Sequence, residues 1–169
     1  DTLKIKMLGN LKYDEPLRFG GDDIKYNNED EKVLFSRDIK ISILPSQEDQ
    51  PQLAVVKESE GFSMDLAREN ATSINYGYRF ENNQLALNGY FIGSVTNKNN
   101  DQQVELNLYL PEGQLVELAD NVSGFYYRSK RDAIDVKDSL YGHTLQLKEK
   151  TLQCIDCDTL VTNQSTKNQ

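Results

Sequence analysis

The sequence has no tryptophan, one histidine, two cysteines and four prolines among 169 residues. A single histidine, His143, serves poorly for a Ser-His-Asp triad, and neither Ser123-Gly124 nor Ser139 sits in a nucleophile-elbow context. Two cysteines do not make a disulfide scaffold. Basic charge is also scarce. The 19 Lys and Arg against 27 Asp and Glu leave a formal net charge of −8 and a pI near 4.7. Such a chain repels a phosphate backbone, so nucleic acid is not expected as a partner. The one basic knot, Arg128-Ser129-Lys130-Arg131, reads as a solvated turn. No apolar run approaches the ~20 residues that cross a bilayer. The chain opens on Asp1-Thr2 rather than Met and reads as an excised fragment, so missing targeting elements carry no information.

What is present is alternation. In Val104–Leu118, VELNLYLPEGQLVEL, the residues Val104, Leu106, Leu108 and Leu110 fall on every second position, with Glu105, Asn107 and Tyr109 between them. A period of two places the apolar set on one face of a strand and the polar set on the other. Pro111 stops the ladder, Glu112-Gly113 supplies a turn, and Leu115, Val116 and Leu118 resume a second strand. Leu3, Ile5 and Met7 form a similar short strand. Asn10 to Lys32 is polar and turn-rich, a long loop holding a short strand. Val33-Leu34-Phe35 and Ile39–Leu44 follow, the second closed by Pro45, and Leu53, Val55 and Val56 mark another. The likeness of IKISILP to LNLYLP hints at two similar layers.

One helix is expected, Ser63 to Thr72, with Ser63 as cap, Asp65 in the first turn and Leu66, Ala67 and Ala71 recurring at three-to-four spacing. Ile74, Tyr76, Tyr78 and Phe80 then alternate, and Asn82-Asn83 suits a hairpin turn before Leu85 and Leu87. Tyr90-Phe91-Ile92 and the run Val122, Phe125, Tyr127 read as further short strands. Leu145, Leu147 and Leu152 flank a turn at Lys148-Glu149-Lys150. The expected fold is mainly β, about ten short strands and one flanking helix. Residues 1–158 would form a single β-rich domain and 159–169 a polar tail.

Taken together, LFSRDIKISI, SMDLARENATSINYGYRFENNQLAL, QQVELNLYLPEGQLVEL and the terminal LQLKEKTLQCIDCD carry a resemblance. The chain resembles bacterial toast-rack, adhesin-like envelope domains, whose alternating strands end in a Pro-Glu-Gly-like corner. More narrowly, it is similar to the C-terminal region of Bacteroidetes-type membrane proteins that begin with a phage-shock-protein-C domain, from about Leu17 to Asp158. The resemblance implies stacked sheets of short strands, somewhat solenoid-like. It implies a membrane tether upstream, a place on the periplasmic face of the inner membrane, and a part in envelope-stress sensing or protein–protein interaction. It brings no catalytic residues.

Cys154-Ile155-Asp156-Cys157 is the sharpest local feature. Zinc wants four ligands, and the only other soft candidate is His143. A thioredoxin-like role would need the motif to open a helix, whereas here it ends a strand among acids. We read Cys154 and Cys157 as a local disulfide or a structural pair, with no metal or cofactor site expected. The acidic stretch 22–31 lacks the Asp-x-Asp-x-Asp-Gly grammar of a calcium loop and reads as solvated. The matches to glycosylation acceptors at Asn70, Asn121 and Asn163 read as chance in a bacterial protein. Tyr76, Tyr78, Tyr90, Tyr109, Tyr126 and Tyr127 are candidates for an outward aromatic surface that anchors a partner or stacks on sugars. Two functions follow. The first is a non-enzymatic, membrane-tethered envelope domain that binds another envelope or membrane protein, with self-association through strand edges also available. The second is a surface adhesin or glycan-binding module.

Overall fold

A computed structural model describes residues 1–10, 17–60, 63–95, 101–128 and 130–157, with the side chain of Asn70 left out. The expected tail 159–169 and most of the loop after Val95 lie outside the described residues. Among the described residues there are twelve strands and one α-helix, α1 (Met64–Thr72), with short 3₁₀ turns between them. The strands are β1 (Leu3–Leu8), β2 (Asp22–Tyr26), β3 (Lys32–Ser36), β4 (Ile39–Ser46), β5 (Gln52–Glu58) and β6 (Tyr78–Glu81). Then follow β7 (Gln84–Asn88), β8 (Phe91–Gly93), β9 (Gln103–Pro111), β10 (Leu115–Leu118), β11 (Thr144–Lys148) and β12 (Thr151–Cys154). The fold is mainly β, as the alternation predicts.

The strands form three sheets, ordered β12-β11-β10-β1-β7-β6, β2-β3-β8 and β4-β9-β5. The chain visits them in a repeating order. It runs from β1 through β3 to β4, and on a second pass from β7 through β8 to β9. Each pass lays its strands beside those of the other: β1 against β7 in parallel, β3 against β8 antiparallel, β4 against β9 in parallel. A third, partial pass adds β10 in parallel beside β1 and then brings Tyr127 and Ile134 to β4, where their N–H groups donate to Ile41 and Ile43 carbonyls at 2.8 Å each. Parallel neighbours cannot be joined by a tight turn, and here the crossover is a trip through the other sheets.

This coil explains the likeness of IKISILP to LNLYLP. The two segments are not separate layers; they are adjacent rungs of one sheet, with Ile39, Ile41 and Ile43 opposite Val104, Leu106 and Leu108. β4 also runs one residue past Pro45, which is tolerated because β4 is an outer strand of its sheet. The inner faces of the six-stranded sheet and of β4-β9-β5 share one hydrophobic cluster. Ile5 and Met7 of β1, Ile41 and Ile43 of β4, Leu106 of β9 and Leu145 of β11 lie within it, each almost wholly buried. The alternation gives the inner face of β9 correctly. Its other face is less wet than the pattern implies, because Asn107 and its neighbour Ser42 on β4 are buried too.

Two sequence readings need correction. Val122 and Phe125 belong to a 3₁₀ turn, Asp120–Phe125, rather than a strand. Their spacing of three puts both on one side of that turn, and both are buried between β1 and β4. The alternating run from Ile74 also becomes a strand only at Tyr78. Ile74 is buried just after α1, and Asn75 makes an isolated bridge to Ile92. The helix starts where Ser63 predicts, its hydroxyl accepting the Leu66 N–H at 3.1 Å. Its apolar stripe is not a core face: Met64 and Leu66 are exposed, and the helix packs beside β5.

The Pro-Glu-Gly corner carries the chain from one sheet to another and is pinned to the β11–β12 hairpin. Gly113, at φ 85°, donates to the Leu147 carbonyl at 2.8 Å, and Leu147 donates to Gln114 at 3.0 Å. The Glu112 carboxylate accepts the Glu149 N–H at 3.0 Å, satisfying a turn whose two residues, Glu149 and Lys150, both sit at positive φ. Asn121 extends the parallel ladder where β10 has ended. Its side-chain amide accepts from the Met7 N–H at 3.1 Å and donates to the Met7 carbonyl at 3.0 Å.

Candidate functional site

The six-stranded sheet has two ends, and the distinctive side chains gather at them. At one end, β6 pairs with β7 through the Asn82-Asn83 turn, whose residues have φ 52° and 59°. The register sets Phe80 opposite Leu85 and Tyr78 opposite Leu87, so both aromatics lie on the sheet's core-facing side. That side continues through Leu85 and Ile5 into the cluster. The opposing three-stranded sheet leaves a cleft above β6. Tyr78 is 53% exposed and Phe80 59%, at the mouth of a cleft of about 590 Å³ that Leu3, Leu53, Leu85 and Leu108 also line. Among the described residues no strand pairs with the outer side of β6. Arg79 and Glu81 point the other way, into a smaller polar hollow with Lys6 and Gln84.

At the far end, β11 and β12 form a hairpin whose register sets Leu145 opposite Cys154. The Ile155 N–H donates to the Thr144 carbonyl at 2.9 Å. This carries the pairing one step further and brings Asp156 beside His143. The Asp156 carboxylate accepts the Thr144 N–H at 3.2 Å through Oδ2, while Oδ1 lies 3.2 Å from His143 Nδ1. Cys154 and Cys157 are joined by a disulfide, with their Sγ atoms 3.1 and 3.9 Å from the same Oδ1. The potential ligand atoms of His143, Cys154, Asp156 and Cys157 all lie within 4.8 Å of one another. Asp156 is the member that residue types alone do not single out. Counting outward from the two-residue turn finds it: Lys148 faces Thr151, Leu145 faces Cys154, and two more steps bring His143 to Asp156.

The six tyrosines do not share a face. Tyr76 is packed against the core, and burial raises its pKa well above the usual tyrosine value. Tyr90 stacks on Phe35 with ring centroids 5.1 Å apart. Tyr109 is half-buried on β9, between Leu44 and Gln52. Tyr126 is a strut: its hydroxyl donates to the Ile134 carbonyl and accepts the Ile43 N–H at 3.4 Å, closing the open side of β4. Burial pushes its pKa up to about 12. Tyr127 is exposed, with Lys40 Nζ over its ring at 4.9 Å. Only Tyr78 combines exposure with an open strand edge. Phe80, which a reading confined to tyrosines passes over, is its partner.

The acidic stretch is divided. Asp22 and Asp23 belong to β2, and Asp23 pairs at 3.1 Å with Arg37, whose buried guanidinium also donates to the Gly20 carbonyl at 2.9 Å. The turn that follows is organised by Asn27, whose Oδ1 accepts the N–H groups of Glu29 and Glu31 at 2.9 Å each.

Among the described residues no helix is long and apolar enough to cross a membrane. A comparison with known families matches residues 25–160 to the toast-rack domain found in some PspC proteins. Neither the curated proteins nor the solved structures yield a match.

Proposed function

Because the chain belongs to the toast-rack family found in some PspC proteins, we propose that it is the non-enzymatic, extracytoplasmic part of a membrane-anchored protein engaged in the envelope stress response. It binds another envelope protein at the outer edge of β6. The observation that carries this reading is the uncovered row of core-facing side chains at Tyr78 and Phe80. An open edge offers unpaired backbone N–H and C=O groups, and an incoming strand would pair with them. Its side chains would cover the two aromatics and fill the cleft toward Leu53. Large, rigid aromatic side chains at a groove mouth supply much of an interface's binding energy. The outer edge of β2 is a poorer offer, since Asp22, Asp23 and Lys25 blunt it with charge.

The dispersal of the tyrosines removes the broad aromatic platform on which glycan binding would rest. The test is co-purification from the native envelope with the full-length protein and with its Tyr78→Ser/Phe80→Ser form. Loss of one discrete envelope protein from the variant supports the reading. Retention of the same set by both forms, or recovery of polysaccharide alone, overturns it.

A further inference from the structure

We propose that the end of the β11–β12 hairpin is a zinc site in its reduced state, with His143, Cys154, Asp156 and Cys157 as the four ligands. The donor set is one imidazole nitrogen, two thiolates and one carboxylate oxygen, all of them ligands that zinc accepts in four-coordinate tetrahedral sites. Zinc bonds of roughly 2.0 Å to nitrogen or oxygen and 2.3 Å to sulfur put neighbouring ligand atoms about 3.3–3.8 Å apart in a tetrahedron. The oxidised hairpin is close to that arrangement. Asp156 Oδ1 lies 3.2 Å from His143 Nδ1 and 3.1 and 3.9 Å from the two sulfurs, and all four donors fall within 4.8 Å. The change required is local: the two sulfurs separate and the other donors shift by about an ångström.

The scaffold for this is already in place. The Glu149-Lys150 turn and the pairing of Leu145 with Cys154 fix His143 across from Asp156. Thr144 N–H holds Oδ2 of Asp156 at 3.2 Å, which leaves Oδ1 turned toward the sulfurs and the imidazole. An outer hydrogen bond of this kind is what orients a carboxylate ligand in metal sites. The chain's net charge of −8 favours accumulation of cations around it.

The disulfide and the metal are alternative closures of one hairpin end. A dithiol reductant delivers two electrons and two protons to the Cys154–Cys157 bond, giving two thiols while the reductant becomes a disulfide. Zinc then displaces the two thiol protons and takes the thiolates, the imidazole and the carboxylate. A two-electron oxidant reverses the sequence, re-forming the sulfur–sulfur bond and expelling the ion. The assignment is independent of what binds at β6.

The test uses the whole 169-residue chain, reduced and kept anaerobic, titrated with Zn²⁺ and with Co²⁺ as a spectroscopic probe. Native mass spectrometry is expected to show one zinc per reduced chain with two protons lost and none on the oxidised chain. Cobalt is expected to give the visible bands of a tetrahedral ion together with thiolate charge transfer. His143→Asn and Asp156→Asn should each weaken binding at least about tenfold, and Cys154→Ser should abolish it. His143→Cys, which supplies another zinc ligand, should restore a tetrahedral spectrum. Absence of stoichiometric binding overturns the assignment. Binding that His143→Asn and Asp156→Asn leave unchanged also overturns it, since that is a plain dithiol chelate.

Discussion

The two ends of the six-stranded sheet are finished in opposite ways. At β12 the turn and the open end of the hairpin are tied within a few residues. A disulfide joins Cys154 to Cys157, Asp156 holds the Thr144 N–H, and Glu112 holds the Glu149 N–H. At β6 the sheet simply stops, with two aromatic side chains on the core-facing side left more than half exposed. The contrast teaches where to look for each kind of function. An end closed by its own chemistry can change state through that chemistry, whereas an end left open can be completed only by another chain.

The largest effect is expected to strike both ends together. Burial raises the pKa of Tyr76 near β6, of Tyr141 just before the β11 hairpin and of Tyr126 beside β4, Tyr126 to about 12. The folded state therefore keeps protons that the unfolded chain loses near pH 10, so stability is fully present below about pH 10 and falls as pH rises through 10 to 12. Equilibrium denaturation across that range checks the sign. Next in size, and able to separate core from edge, is truncation within one sheet. Leu145→Ala, at a wholly buried position of β11, should cost about 2–5 kcal/mol, against less than about 0.5 kcal/mol for Phe80→Ser. A comparable loss from Phe80→Ser would mean that β6 is not an unfinished edge.

Smaller effects probe the closed end. Reduction of Cys154–Cys157 should lower stability by about 2 kcal/mol or less, because the loop it closes is very short. Glu112→Ala should cost about 1 kcal/mol or less by replacing the carboxylate that accepts the exposed Glu149 N–H with water, and the loss should be accompanied by faster amide exchange in that turn. If Glu112→Ala proved silent, the Pro-Glu-Gly corner would be a crossover only and not also a clamp.

Much of this fold is legible in the chain. Strict alternation gives β1, β4 and β9, the Asn82-Asn83 hairpin follows from turn chemistry, and the turn at Lys148-Glu149-Lys150 follows from the leucines that flank it. What the pattern hides is long-range. The pairing of β1 with β7 and β10 joins Lys4 to Gln84 and Leu3 to Val116, segments far apart in the chain, and alternation carries no register across such gaps. Val122 and Phe125 look like strand residues because each is apolar, yet their spacing of three belongs to the 3₁₀ turn. Tyr126 cannot be told from Tyr127 by type, although one is a strut and the other faces solvent. At the candidate sites, Phe80 was visible as the last member of an apolar alternation, but its exposure depends on how far the opposing sheet extends. Arg37 sits buried next to the predicted strands and nothing in its local sequence marks it.

We propose that a partner protein docks at the β6 end and not at the β12 end. The most direct measurement places a photo-crosslinking residue at position 80 of the full-length protein in its native envelope, and separately at Ile155, an exposed apolar position beside the disulfide. One discrete protein adduct is expected from position 80 and none from position 155. Equal adducts from both positions, or none from position 80, would contradict it.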